Sequence, residues 1–336
     1  MDKEQYRAFA SKTESLARPE DVTAISFLGD FNRLLPKKAQ DKIMQKGNKD
    51  IPYMGFIVDP YCAFLAYRIK DEAMAQAMLP PEYELAASSL FSGGEKAPLV
   101  IFSAFTARTS AFSGMRLEMY LTARHRETGL MSWIIADYVT NTNSHDPRNG
   151  FCGYNADSAV FTTTPYGELL VDVRRRQGEA FALSMDIASG QMMPLDQELW
   201  VEGNLSVDYG GALLDKSSHP FGLIFDPVLM KEALKLPAGG FRLAENSFLA
   251  GLIEGDTPLE AALFPYSQHF IIKQHMRRDE LLQEADLKPL LQEYLDRREF
   301  KTMRGDDLKK PLLRGMLISA ALNYGLIIFL LIKYVF

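Results

Sequence analysis

The sequence predicts a mainly β, α+β fold: an antiparallel barrel or sandwich of short strands, flanked by helices and ended by a membrane-spanning helix. Three observations predict it. Between Ile51 and Ile224, short apolar runs recur between turns rich in Gly, Pro and Asn, the pattern of an all-β barrel or sandwich. On either side, residues 1–47 and 238–300 carry apolar residues at helical spacing. At the end, Gly315 to Ile332 contains no charge and reaches the lower limit of about 18 residues for crossing a hydrocarbon core. The expected organisation is a helical extension over 1–50, a β domain over 51–237, a helical extension over 238–310 and a tail anchor over 311–336.

In the first helical segment Tyr6, Phe9, Ala10 and Leu16 share a face. The second opens at Pro19-Glu20-Asp21 and aligns Ile25, Leu28, Phe31 and Leu35. Lys37 to Lys46 is a basic amphipathic piece, and Gly47 to Asp50 reads as a linker. Strands are expected at Cys62–Arg68, Leu99–Ala107, Leu117–Ala123, Met131–Val139, Ala159–Thr164, Glu168–Arg174, Ala180–Ile187, Leu199–Val207 and Pro220–Ile224. Asp71 is placed to cap a short helix that stops before Pro80-Pro81. Helix is expected again at Phe248–Ile253, Leu259–Leu263 and Asp279–Arg298, with Pro289 interrupting the last. Lys301, Arg304, Lys309, Lys310 and Arg314 precede the terminal apolar run and only Lys333 follows it. That asymmetry predicts a single-pass C-terminal anchor with the main domain cytoplasmic.

A net charge of −6 and a pI near 5.5, with no basic stripe, exclude nucleic acid as a main partner. Arg174-Arg175-Arg176 reads as a solvated strand end. The two cysteines, Cys62 and Cys152, make no disulfide framework and no zinc spacing, so neither a metal nor another cofactor is expected. The charged N-terminus has no signal-peptide core, and a reducing, cytosol-facing compartment is expected.

The stretch from Tyr138 to Phe161 is crowded with Asn, Asp, Pro and Gly, and a turn-rich loop of this length is more often a binding loop than filler. His145 and Asp146 within it could be an acid and a base, or simply a solvated turn.

Three blocks resemble the acetoacetate decarboxylase family. They are FLAYRIKDEAMAQAMLPPEYEL from Phe64, the segment Met115 to Asp157 ending in Gly153-Tyr154-Asn155-Ala156-Asp157, and FGLIFDPVLMKEALKLP from Phe221. The resemblance spans roughly 52–237, is carried mainly by the order of the blocks, and implies an antiparallel β-barrel with a buried polar pocket. The family reaction, as the resemblance implies it, needs a lysine that forms a Schiff base with a β-keto acid. Here that position is Ala156 and its neighbour is Asp157, and no lysine occurs between Lys96 and Lys216. A Schiff-base decarboxylase is therefore not expected unless a distant residue such as Lys70 reaches the pocket.

The resemblance keeps Arg68, matched to an arginine that holds the substrate carboxylate, and Glu118, matched to a pocket glutamate. The two either act on a substrate or form a buried structural ion pair. Tyr138, Tyr154, Ala156 and Cys152 would line the substrate pocket. Trp133 and Trp200 are expected in the core, and Arg116, Arg124 and Arg126 could face either way. Three functions remain open. The first is a membrane-anchored lyase or isomerase acting without a Schiff base on a keto-acid, enone or polyketide-like molecule. The others are a hydrophobic-ligand binder and a scaffold that recruits protein partners, or its own copies, through its helical extensions.

Overall fold

The computed structural model describes residues 1–21, 35–40, 42, 53–109, 112–146, 150–175, 178–214, 220–273, 283–298, 300 and 305–335. The expected helix with the Ile25–Phe31 stripe and the linker at 47–50 lie outside the described residues, as does the first part of the 279–298 helix.

In chain order the strands are β1 (Tyr53–Val58), β2 (Cys62–Arg68), β3 (Tyr83–Leu85), β4 (Ala87–Ser88), β5 (Ala97–Thr109), β6 (Ser113–His125), β7 (Met131–Thr140), β8 (Ser144–Asp146), β9 (Gly150–Cys152) and β10 (Ala156–Thr163). They continue as β11 (Glu168–Arg175), β12 (Ala180–Asp186), β13 (Gln191–Pro194), β14 (Val207–Tyr209), β15 (Leu223–Ile224), β16 (Glu232–Lys235), β17 (Phe241–Asn246), β18 (Glu260–Phe264) and β19 (Gln268–Lys273). The α-helices used below are α1 (Lys3–Ser15), α2 (Glu72–Ala77), α3 (Leu287–Asp296) and α4 (Gly305–Val335). The mostly-sheet α+β class read from the sequence holds.

Thirteen strands form one sheet organised around β5. One edge of β5 is shared by β2, paired over Leu99–Ala104, and β1, paired over Ala107–Thr109; β6 runs along the other edge. Four strands, β10-β11-β12-β17, form a second sheet. Among the described residues the strand pairing does not close into the expected barrel. The large sheet ends at β13, β14 and β15, and a single bridge, Val207 to Phe221, links the β14 end to the segment entering β15.

Both faces of the central strands are buried. β5 is a near-continuous apolar run, and on β6 the alternating Arg116 and Glu118 are buried and paired with each other. One face gathers Cys62, Ala66, Ile101, Phe105, Trp133, Trp200 and Phe264. The other packs Leu65, Tyr67, Phe102, Met119 and Leu121 against Val171, Val173 and Phe181 of the smaller sheet.

α1 closes the first face. Asp2 caps it, accepting hydrogen bonds from the amides of Glu4 and Gln5. It lies so close to β1 that a Cβ on Gly55 would stand 2.9 Å from the carbonyl of Thr13. Phe9, fully buried, meets Tyr294 of α3 edge-on at 5.6 Å; burying such a ring contributes roughly 1.5–3 kcal/mol. The cap at Asp71 is also found, accepting from the amide of Met74 at 2.9 Å.

Phe248–Ile253 forms turns rather than the expected helix; two further expectations are corrected and a third is not established. Leu259–Leu263 is not helical: Glu260–Phe264 is a strand buried at every position, between β2 and β16. A short run that is apolar but for Glu260 suits a central strand as well as a buried helix, and spacing cannot separate them. Leu199–Val207 is mostly a helical turn, in which the Asp196 carboxylate accepts from the amide of Leu199 and Trp200 is buried; only Val207–Tyr209 extends as strand, parallel to β7. The third concerns the C-terminus. α4 is one 31-residue helix with exposed apolar side chains such as Leu317, Leu322 and Phe329. Among the described residues no helix is long and apolar enough to cross a membrane. The fold therefore does not establish the expected anchor.

Candidate active site on the inner face of the central strands

β6 alternates cleanly. Leu117, Met119 and Leu121 join the cluster between the two sheets, while Arg116, Glu118 and Tyr120 turn to the opposite face. Glu118 is paired with Ser103 of β5 on one side and Tyr138 of β7 on the other. A register shift between Met119 and Tyr120 breaks the alternation on β7, so Tyr138 and Ile135 both belong to the cluster on the Glu118 face.

The Glu118 carboxylate is divided between two partners. Oε1 accepts from Arg116 Nε at 2.6 Å, and Oε2 accepts from the Tyr120 hydroxyl. The Arg116 guanidinium lies over the Tyr138 ring, 4.6 Å from its centroid, and 5.8 Å from that of Phe112. Ser144, at the start of β8, donates to the Tyr138 hydroxyl at 2.6 Å. The Cys62 sulfur is 3.8 Å from the Ser103 hydroxyl, and Tyr120 meets Trp133 edge-on at 5.1 Å. Arg116 and Glu118 are buried, at 8% and 6% exposure.

Burial works against a charged guanidinium at Arg116, but the Glu118 carboxylate outweighs it and holds the group more firmly cationic than usual. The Tyr120 hydroxyl is pushed well above its ordinary value, first by burial and then by the Glu118 charge. Burial also pushes the Cys62 thiol up, only partly opposed by its contact with Ser103. Cys62 is thus an inert thiol at neutral pH, not a nucleophile.

The turn-rich segment holds the open end of this face together. Asn155 accepts from the Thr140 amide at 2.8 Å and donates to the Tyr138 carbonyl at 3.0 Å. Asn141 Oδ1 accepts from the Met115 amide, and a Cβ on Gly114 would lie 2.5 Å from that oxygen, so only glycine admits the loop there.

Of the residues singled out in the sequence, Glu118 and Tyr138 come together. Arg68 does not join them. It is ion-paired at the surface with Glu95 at 2.6 Å and Glu254 at 3.4 Å, so Arg68 and Glu118 form neither a catalytic pair nor a buried bridge. Tyr154 is 54% exposed, Cys152 is half-buried on β9, and Ala156 packs in the cluster on the far side of the sheet. Lys70 is exposed. The side chains of His145 and Asp146 lie outside the described residues, and among the described residues no three His, Cys, Asp or Glu side chains gather as a metal site. Trp133 and Trp200 are core, as expected.

Arg175 departs from the solvated-end reading. It turns inward, where its Nη2 donates to Asp137 and to the Tyr138 carbonyl, both at 2.9 Å, and its Nη1 donates to Glu179 at 2.9 Å. Sequence reasoning also missed Arg116, Tyr120, Ser103 and Ser144 as neighbours of Glu118. The available signal was Arg-x-Glu-x-Tyr, three polar side chains on one face of an otherwise apolar strand.

No family model and no curated protein matches the chain. Solved structures do. The chain is similar in fold to acetoacetate decarboxylase-like proteins. Acetoacetate decarboxylase from Legionella pneumophila is 14% identical, with 63% of this chain and 86% of that chain covered at a TM-score of 0.35. The enduracididine biosynthesis enzyme MppR, complexed with the condensation product of pyruvate and imidazole 4-carboxaldehyde, is 10% identical, with 66% and 88% covered at 0.39. A further acetoacetate decarboxylase structure is 10% identical, with 67% and 89% covered at 0.38. Likeness at this level says nothing about substrate or chemistry.

Proposed function

We propose that this chain is an enzyme of small carbonyl compounds that works without a Schiff base. It moves a proton on a keto-acid, enone or polyketide-like molecule, leading to isomerisation, dehydration or cyclisation. The observation that supports this reading is the buried Glu118 carboxylate, held between the Arg116 guanidinium and the Tyr120 hydroxyl on an otherwise apolar face. A carboxylate fixed in a low-dielectric site suits general acid–base work. The lack of any lysine between Lys96 and Lys216 speaks against an amine nucleophile. Arg68 takes no part.

The test is incubation of the full-length protein with a panel of 3-oxo acids and unsaturated ketones, followed by mass spectrometry of each compound. Turnover is expected for at least one compound, lost in Glu118→Gln, with no adduct trapped by borohydride. No turnover across the panel, or a borohydride-trapped lysine adduct, overturns the reading.

We propose further that α4 holds the protein at a membrane with its main domain on the cytoplasmic side. The exposed apolar side chains along α4 and the basic residues before it support this. Full-length protein should float with liposomes and resist carbonate extraction; recovery in the soluble fraction contradicts it. The same exposed helix favours partner recruitment as a second role, which pull-down of the full-length chain with and without detergent distinguishes.

A further inference from the structure

Arg116 is unusual among the inward-facing charges. A guanidinium carries five N–H donors, and among the described residues only its Nε has a partner, the Glu118 carboxylate. Its two terminal nitrogens meet no acceptor among the described residues, and the side chain keeps a tenth of its surface exposed although the residue is more than nine-tenths buried. Leaving such donors unpaired in a buried place is costly unless something occupies them.

The surroundings define what that is. Glu118 takes the Nε side, and the rings of Tyr138 and Phe112 lie against the guanidinium. Tyr209 lies near enough to act on its charge. What remains open is the end carrying the two terminal nitrogens, a fork that fits the two oxygens of one carboxylate. A molecule entering there approaches in the guanidinium plane, beside aromatic rings, which favours a flat group next to the carboxylate.

We infer that the terminal nitrogens of Arg116 form a binding site for a small planar carboxylate. The site lies on the face of the central strands opposite Ala156, the position matched to the family lysine. It is separate from Arg68, which the resemblance would have assigned to this task. The claim that the bound acid also reacts rests on the proposed role of Glu118; binding does not.

Benzoate, benzamide and cyclohexanecarboxylate are titrated into the full-length protein, followed by calorimetry and thermal unfolding. Benzoate should bind and raise the melting temperature, at least about tenfold more tightly than neutral benzamide and more tightly than the non-planar acid. Arg116→Lys, which keeps the charge but loses the fork, should weaken benzoate about tenfold. Should that variant not fold, Phe112→Leu alters a half-buried wall residue and should weaken benzoate about threefold while leaving acetate unchanged.

Glu118→Gln should retain benzoate binding while losing turnover. A protein that binds benzoate but turns nothing over keeps this inference and loses the acid–base reading. Turnover that neither benzoate nor Arg116→Lys affects does the reverse. Equal binding of benzoate and benzamide, or no binding of either, overturns the carboxylate site.

Discussion

Against each face of the central strands lies an inward-turned arginine beside a carboxylate and an aromatic ring, Arg116 buried and Arg175 half-buried, but the two are used differently. Between the sheets, Arg175 is surrounded: Asp137, Glu179 and the Tyr138 carbonyl take its terminal nitrogens, Phe248 lies 5.1 Å from its guanidinium, and its Nε is enclosed. On the opposite face Arg116 spends one nitrogen on Glu118, and the other two have no partner among the described residues. The first arrangement fixes a strand junction. The second keeps capacity for a ligand. Residue type, burial and charge pairing do not tell a structural ion pair from a site; the count of unsatisfied, reachable donors does.

Substitutions can break that contrast, beginning with the largest effect. Arg175→Met strands the half-buried Asp137 and Glu179 carboxylates and frees the Tyr138 carbonyl, a loss of roughly 2–4 kcal/mol, below or near the ~3–5 of a fully buried pair. Urea unfolding measures it, and a loss under about 1 kcal/mol would mean that Arg175 does not hold the strand junction. Glu118→Gln keeps one acceptor, for Arg116, and its amide can donate to the Tyr120 hydroxyl in reverse, so its stability loss should be smaller, about 1–2 kcal/mol, while turnover disappears. A large stability loss with turnover intact would reverse the two roles.

Acid titration sharpens the contrast further. Burial raises the Asp137 carboxyl above its ordinary 3.8, and Arg175 offsets this only in part. Ionised Asp137 therefore costs stability near neutral pH. The cost shrinks as the pH falls through the raised value and is gone below the ordinary one. Glu14, which joins α1 to β5 and β19, has the opposite sign. Burial pushes its carboxyl up, but hydrogen bonds from His269 and Arg108 prevail and hold it below its ordinary 4.5. Its contribution is present above the ordinary value and is lost as the pH falls through the lowered one. Relative to wild type, Asp137→Asn should lose ground on acidification and Glu14→Gln should gain it, as read by denaturation midpoints across the acid range. The smallest effect belongs to Arg68→Ala, which removes solvent-screened ion pairs and should leave both the denaturation midpoint and turnover nearly unchanged.

Much of the fold was legible because apolar runs bounded by turn residues announce strands. Leu99–Ala107, Leu117–Ala123 and Met131–Val139 all lie inside observed strands. The misreadings were runs whose environment, not their pattern, decides the outcome. Glu260–Phe264 becomes a strand because β2 and β16 flank it, and Leu199 begins a turn because Asp196 caps it. Of the candidate site residues, Glu118 came from the resemblance and Tyr138 from its place on the strand entering the turn-rich segment, and the two share one face. Arg116 stood two residues from Glu118 but was passed over for Arg68, since nothing in a strand sequence tells which arginine ends at the surface beside Glu95 and Glu254. The register shift that turns Tyr138 toward Arg116 leaves no trace in composition.

The central claim is that chemistry belongs to the Glu118 face and not to the inter-sheet face beside Ala156. Deuterium wash-in from heavy water into the carbon next to the carbonyl of a 3-oxo acid tests it most directly, comparing full-length wild type, Glu118→Gln and Asp137→Asn. Exchange lost in Glu118→Gln and retained in Asp137→Asn is the expected result. Exchange retained in Glu118→Gln and lost in Asp137→Asn would contradict the claim and move the site across the sheet.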